Sequence, residues 1–121
     1  MIQGDIVLIA FPFTDLTTKK VRPALVISKE GFNEHNEDAI FIMITSNTAN
    51  LRNEDILLSS NGPGFHATGL RRESVVRTPK IHCLSQSLAK RRLGQVSQKI
   101  INEVLQKLRD LFFEGVPGTQ N

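Results

Sequence analysis

Arg22, Thr45 and Asp15 each stand beside a strand-like apolar run, and together they offer a guanidinium, a hydroxyl and a carboxylate. A guanidinium is a planar, permanently charged fork that donates two parallel hydrogen bonds to phosphate oxygens. A threonine hydroxyl can donate one more, and a carboxylate can accept a proton. The chemistry this trio suits is the binding and charge stabilisation of a phosphate group. The segments that carry it are Gly4-Asp5-Ile6-Val7-Leu8-Ile9-Ala10-Phe11-Pro12-Phe13, Arg22-Pro23-Ala24-Leu25-Val26-Ile27-Ser28 and Ile42-Met43-Ile44-Thr45-Ser46-Asn47. Three strands of this kind could deliver all three side chains to one rim. The same residues also fit plainer roles: a surface arginine ahead of a strand, a hydroxyl bonded to local backbone, and a solvated carboxylate.

Positioning such groups needs a sheet. Asp5 to Phe13 reads as a first strand, apolar almost throughout and closed by a proline that cannot donate to a ladder. Pro23 biases Arg22 toward an extended backbone at the mouth of a second strand, Ala24 to Ser28. Ala39 to Thr45 is apolar on both faces and belongs in a sheet interior, with Ser46-Asn47-Thr48 ending it beside Thr45. Asp55 to Leu58 reads as another strand, Asn61-Gly62-Pro63-Gly64 as a turn, and Ser74 to Arg77 and Lys80 to Leu84 as two short strands separated by Pro79. Only the end is helical: Ile100, Ile101, Val104, Leu105, Leu108, Leu111 and Phe112 share one face, Ser97 is placed to cap, and Val96 and Ile101 occupy staple positions. Short strands with one packed helix predict a small, strongly curved β-barrel with a C-terminal helix.

Composition sets the outer limits. The 121 residues suit one domain with one core, and 40% hydrophobic with 22% charged residues is ordinary for a globular chain. No run approaches the ~20 apolar residues of a membrane span, and no signal peptide is readable, so a cytoplasmic location is expected. The lone Cys83 forbids an intrachain disulfide and reads as a buried structural residue. Trp and Tyr are absent, which argues against reading nucleic acid by base stacking. The net charge is only +3, but it is unevenly spread: acidic residues crowd positions 30–55, with Lys19, Lys20 and Arg22 before them and Arg71, Arg72, Arg77, Lys80, Lys90, Arg91 and Arg92 after. A fold that joins the two basic clusters makes a groove suited to phosphates; otherwise they are solvated surface.

The order and wording of the three segments resemble the MazF/PemK (Kid) family of toxin endoribonucleases. The match continues through Gly69-Leu70 and Ser74-Val75-Val76-Arg77 to Arg92-Leu93-Gly94-Gln95-Val96-Ser97, nearly the whole chain. The resemblance implies a mainly β (α+β) fold, the small SH3-like barrel of the MazF/PemK/CcdB type with a C-terminal helix, here a single domain over 1–115 and a flexible tail over 116–121. It implies that the family's catalytic Arg and Thr are Arg22 and Thr45. RNA contacts would fall on Lys19, Lys20, Ser46, Asn47 and Lys80. Auxiliary acid, base or phosphate roles would fall on His82, Arg77 and Asp15, with Glu73 as a further replacement base.

The activity so implied is metal-independent and cofactor-free cleavage of single-stranded RNA, with the 2′-hydroxyl attacking the adjacent phosphate. Expected partners are a second copy of the chain and a cognate antitoxin with an acidic tail. Two departures stand out. Kid-like members carry an Asp two residues after the Arg matched by Arg77, where this chain has Pro79; and His82 replaces the usual Arg or Lys. Two other readings stay open: a non-enzymatic toxin like CcdB, which shares the fold and poisons DNA gyrase, and, on the strength of Pro79 and His82, a relative that binds RNA or antitoxin without cutting.

Overall fold

The computed structural model describes residues 1–11 and 20–113. Six strands, β1 (Asp5–Ala10), β2 (Val21–Val26), β3 (Asp38–Thr45), β4 (Ile56–Leu58), β5 (Ser74–Ser85) and β6 (Ala89–Gln95), form one antiparallel sheet in the order β4-β5-β3-β2-β1-β6. A short helix α1 (Glu30–Glu34) links β2 to β3, and α2 (Gln98–Phe112) follows β6. The sheet is strongly curled, so the fold is a mainly β half-barrel with a C-terminal helix. The expected domain limit at 115 and the tail over 116–121 lie outside the described residues. Among the described residues no helix is long and apolar enough to cross a membrane.

Strands apolar on both faces need cover on both, and alternate residues divide accordingly. Ile6, Leu25, Ile42, Ile44 and Val76 join Ile101 and Val104 of α2 in one cluster, whereas Val7, Ile9, Ala24, Val26 and Phe41 form another. The helix is held as expected: the Ser97 hydroxyl accepts the Ile100 N–H at 3.3 Å, and Val96 and Ile101 are both buried beside it.

The curl has visible causes. Between the pairs Ile42–Ile81 and Ile44–Val76, β3 contributes only Met43 while β5 contributes Arg77 to Lys80. Pro79, which has no N–H to give, lies in this irregularity, so the expected pair of short strands is one continuous strand with a bulge. β6 carries an extra residue at Leu93 and another at Lys90 relative to β1. Bulges increase local twist and bend the sheet edge inward.

Three other expectations need correction. β6 and α1 were not anticipated, because the charged Lys90-Arg91-Arg92 breaks apolar alternation and a five-residue helix shows no sustained period. The second strand starts at Val21, which puts Arg22 inside it, opposite Ile9. Cys83 is exposed rather than buried: β4 pairs only with Ser74–Val76, so the later half of β5 has no strand on that side.

Candidate active site

The ladder between β2 and β3 stops at Ala24–Met43. One step further along the same face of each strand stand Arg22 and Thr45, which the continued register would set opposite each other. Where the strands part, a cleft of about 330 Å³ opens. Leu8, Pro23, Ile44, Leu70 and Leu93 give it apolar walls, and Arg22, Thr45 and Ser46 line one side. Arg71, Arg72 and Arg91 line it as well. Arg22 and Thr45 are half-buried, whereas the other three arginines are exposed.

Two glycines bring the far wall into place. Gly69, with φ of 71°, follows a tight helical turn at His66–Thr68, and Gly94 lies in β6. A Cβ on Gly69 would stand 2.0 Å from the Leu93 carbonyl oxygen, and one on Gly94 would stand 2.1 Å from that of Ala67. Backbone therefore rests on backbone, a packing only glycine permits, and the loop that leaves Gly69 carries Arg71 and Arg72 to the cleft mouth.

Sequence comparison agrees with this architecture. The family of PemK-like, MazF-like toxins of type II toxin–antitoxin systems matches residues 2–112. This chain belongs to that family. No curated protein matches it at a significant level. Among solved structures, an endoribonuclease in complex with its cognate antitoxin from a mycobacterial species superposes with a TM-score of 0.76 at 18% identity, covering 97% of this chain and 99% of that one. The Mycobacterium tuberculosis toxin MazF-mt6 gives a TM-score of 0.71 at 17% identity, covering 89% and 95%. A MazE–MazF structure from Deinococcus radiodurans gives 0.72 at 22% identity, covering 95% and 97%. At these identities the likeness establishes the shared fold.

In this MazF-like toxin the Thr45 Oγ1 accepts the N–H of Asn47 at 3.1 Å. The plainer reading of Thr45 is thus met in part, yet the hydroxyl proton remains available to an acceptor in the cleft. The same turn is clamped from behind by Arg77. Its guanidinium pairs with Asp55 at 2.5 Å and donates to the carbonyls of Asn50 at 3.2 Å and Asn47 at 3.4 Å. The Asp55 side chain is 1% exposed and also accepts the Arg52 N–H at 2.9 Å. Arg77 does not line the cleft; it fastens the loop on which Thr45 ends.

His82 lies elsewhere too. It pairs across the ladder with Phe41 and meets the Phe11 ring edge-on, centroids 5.2 Å apart. Burial first, and the Lys80 charge second, hold its imidazole below the ordinary histidine range. Neither Pro79 nor His82 is among the residues that line the cleft. Lys20, Asn47 and Lys80 are exposed outside the cleft, while Asp15 and Lys19 lie outside the described residues.

The electrostatics separate the arginines into two kinds. Arg77 pairs with Asp55, and Arg92 pairs with Asp5 at 2.9 Å. Among the described residues, Arg22, Arg71, Arg72 and Arg91 have no carboxylate within 4.0 Å and no side-chain hydrogen bond. No carboxylate or imidazole lines the cleft among them either. No group of His, Cys, Asp and Glu there is arranged to hold a metal ion. Sequence reading saw Arg71, Arg72 and Arg91 only as part of a basic cluster. The signal that could have placed them was the pair Gly69 and Gly94, each next to a stretch of like charge.

Proposed function

We propose that this chain is the toxin of a type II toxin–antitoxin pair and acts in the cytoplasm as a metal-independent endoribonuclease on single-stranded RNA. The observation that carries the reading is the meeting of Arg22 and Thr45 at one cleft whose guanidiniums have no counter-charge among the described residues. In the reaction the 2′-oxygen bonds to the adjacent phosphorus and the bond from phosphorus to the 5′-oxygen breaks. The 2′-hydroxyl loses its proton and the departing 5′-oxygen gains one, leaving a 2′,3′-cyclic phosphate and a 5′-hydroxyl. Arg22 neutralises the charge that builds on the phosphorane, and Thr45 donates a hydrogen bond to one of its oxygens. Arginine is the only ionisable lining residue among those described, and Asp15, outside the described residues, is the carboxylate the sequence offers for the proton transfers. The RNA-binding groove is completed by a second copy of the chain, and an antitoxin with an acidic tail competes for it.

The test is incubation of the purified protein with a long RNA in excess EDTA, followed by mapping of the ends. Cleavage at preferred sites with 5′-hydroxyl and 2′,3′-cyclic or 3′-phosphate ends is expected, and the matching DNA stays intact. Ends bearing 5′-phosphates would mean a water nucleophile. Activity lost to EDTA and restored by a divalent ion would overturn the mechanism. A folded, toxic protein that cuts no RNA would belong instead with the non-enzymatic toxins.

A further inference from the structure

The proposed reaction assigns Arg22 and Thr45 to the scissile phosphate, yet the same cleft holds three more guanidiniums. Each of Arg71, Arg72 and Arg91 is exposed, lines the cleft and lacks any counter-charge among the described residues. Like charges that line one cleft add their attraction for an anion that enters it. Arg91 has a second setting: it also lines a neighbouring recess of about 510 Å³ that contains Lys90 and the ion-paired Arg92. The bulge at Lys90, which interrupts the β1–β6 ladder, lies in the wall of this recess.

Resting on the ribonuclease reading for the identity of the anion, we infer that Arg71, Arg72 and Arg91 bind the phosphates flanking the scissile one. The strand then leaves the cleft across β6, from Arg91 to Lys90. Arg71 and Arg72 stand on the wall fixed by Gly69, and Arg91 stands on the wall fixed by Gly94. The backbone packing of Gly69 on Leu93 and of Gly94 on Ala67 sets the spacing of the phosphate subsites. These arginines supply substrate binding and register, whereas Arg22 supplies stabilisation of the reacting group.

Salt dependence reads this directly, because each phosphate neutralised on a single strand contributes about 0.7 to the slope of log affinity against log salt. The probe is a fully 2′-O-methylated single-stranded RNA, which binds but cannot be cut, titrated by fluorescence anisotropy between about 50 and about 200 mM KCl. The triple variant Arg71→Gln, Arg72→Gln, Arg91→Gln should lose about 2 from the slope, and Lys90→Gln about 0.7. A control triple on α2, Lys99→Gln, Lys107→Gln, Arg109→Gln, removes the same charge away from the cleft and should change the slope far less. The Arg→Lys triple should keep the slope. If the two Gln triples behave alike, the flanking subsites do not exist; an unchanged slope in Lys90→Gln removes the crossing of β6. Should the cleft triple misfold on a thermal melt, the single Gln variants carry the test at about 0.7 each. Unaltered protein that binds RNA with the expected slopes but never cuts would defeat the ribonuclease reading alone. Unaltered protein that does not bind RNA would defeat the inference.

Discussion

In the proposed reaction Arg22 and Thr45 divide the work by chemistry, and that division predicts different tolerances. Arg22→Lys keeps the charge but loses the fork, and should lower the cleavage rate roughly a hundredfold, the scale of losing one preorganised donor. Thr45→Val should fall similarly while Thr45→Ser keeps much of the activity; melts of each variant separate chemistry from folding. Near-normal rates in folded Arg22→Lys and Thr45→Val would empty the cleft of its assigned role. His82 gives a pH prediction with a definite sign. Its folded imidazole titrates below the ordinary range, so the unfolded chain takes up the proton first as pH falls. The contribution of neutral His82 to stability is present above the ordinary histidine pKa and lost on acidification through the folded one. His82→Asn should flatten that acid-side drop in Tm and leave the cleavage–pH profile unchanged, whereas a changed profile would bring His82 into the chemistry. Thr45 was legible in the sequence because the end of an apolar run marks a strand terminus locally, and Arg22 because Pro23 holds it extended, although the strand already begins at Val21. Arg71, Arg72 and Arg91 were not, because their meeting depends on Gly69 touching β6, a contact between distant stretches of chain.

The loop between β3 and β4 shows how a buried charge can serve a site it does not enter. Arg77→Met leaves the Asp55 carboxylate buried without its cation, and should lower stability by about 2 kcal/mol, below the 3–5 of a fully buried pair because Arg77 keeps 20% exposure. The double variant Asp55→Asn, Arg77→Met removes the orphaned charge and should recover part of the Tm. Cleavage should stay low in both, since neither holds the turn whose Asn47 N–H orients the Thr45 hydroxyl. Full activity in the double variant would separate the clamp from the site. Elements with a dominant local pattern could be read in advance: the two-sided apolar run of β3 and the amphipathic face of α2. β6 could not, because an edge strand exposes its charged residues and two bulges break its alternation. β5 was split in reading because proline marks an interruption without saying that the strand resumes in the same sheet.

The proposed groove needs two copies, so light scattering should give twice the 13.5 kDa chain mass. A strictly monomeric protein that still cleaves would confine the site to one chain. An acidic antitoxin peptide should displace RNA and bind more weakly as salt rises, because both partners would seek the same unpaired arginines. Binding indifferent to salt would place the peptide on an apolar surface. The fold as a whole was readable from six short segments in order, since strands apolar on both faces must be covered on both. The closeness of its two ends was not, because nothing local announces that β1 will lie beside β6. That pairing also sets an order in time. β1, β2 and β3 emerge early during synthesis and can pair as neighbours, but Arg91 follows its partner Leu8 by more than eighty residues. Closing so long a loop must precede the contacts that reward it. Until then Arg22 and Thr45 face open water with one wall missing. On the proposed reading the site is therefore completed last, once β6 has docked on β1, and the ribosome that makes the chain meets only a cleft without its second wall.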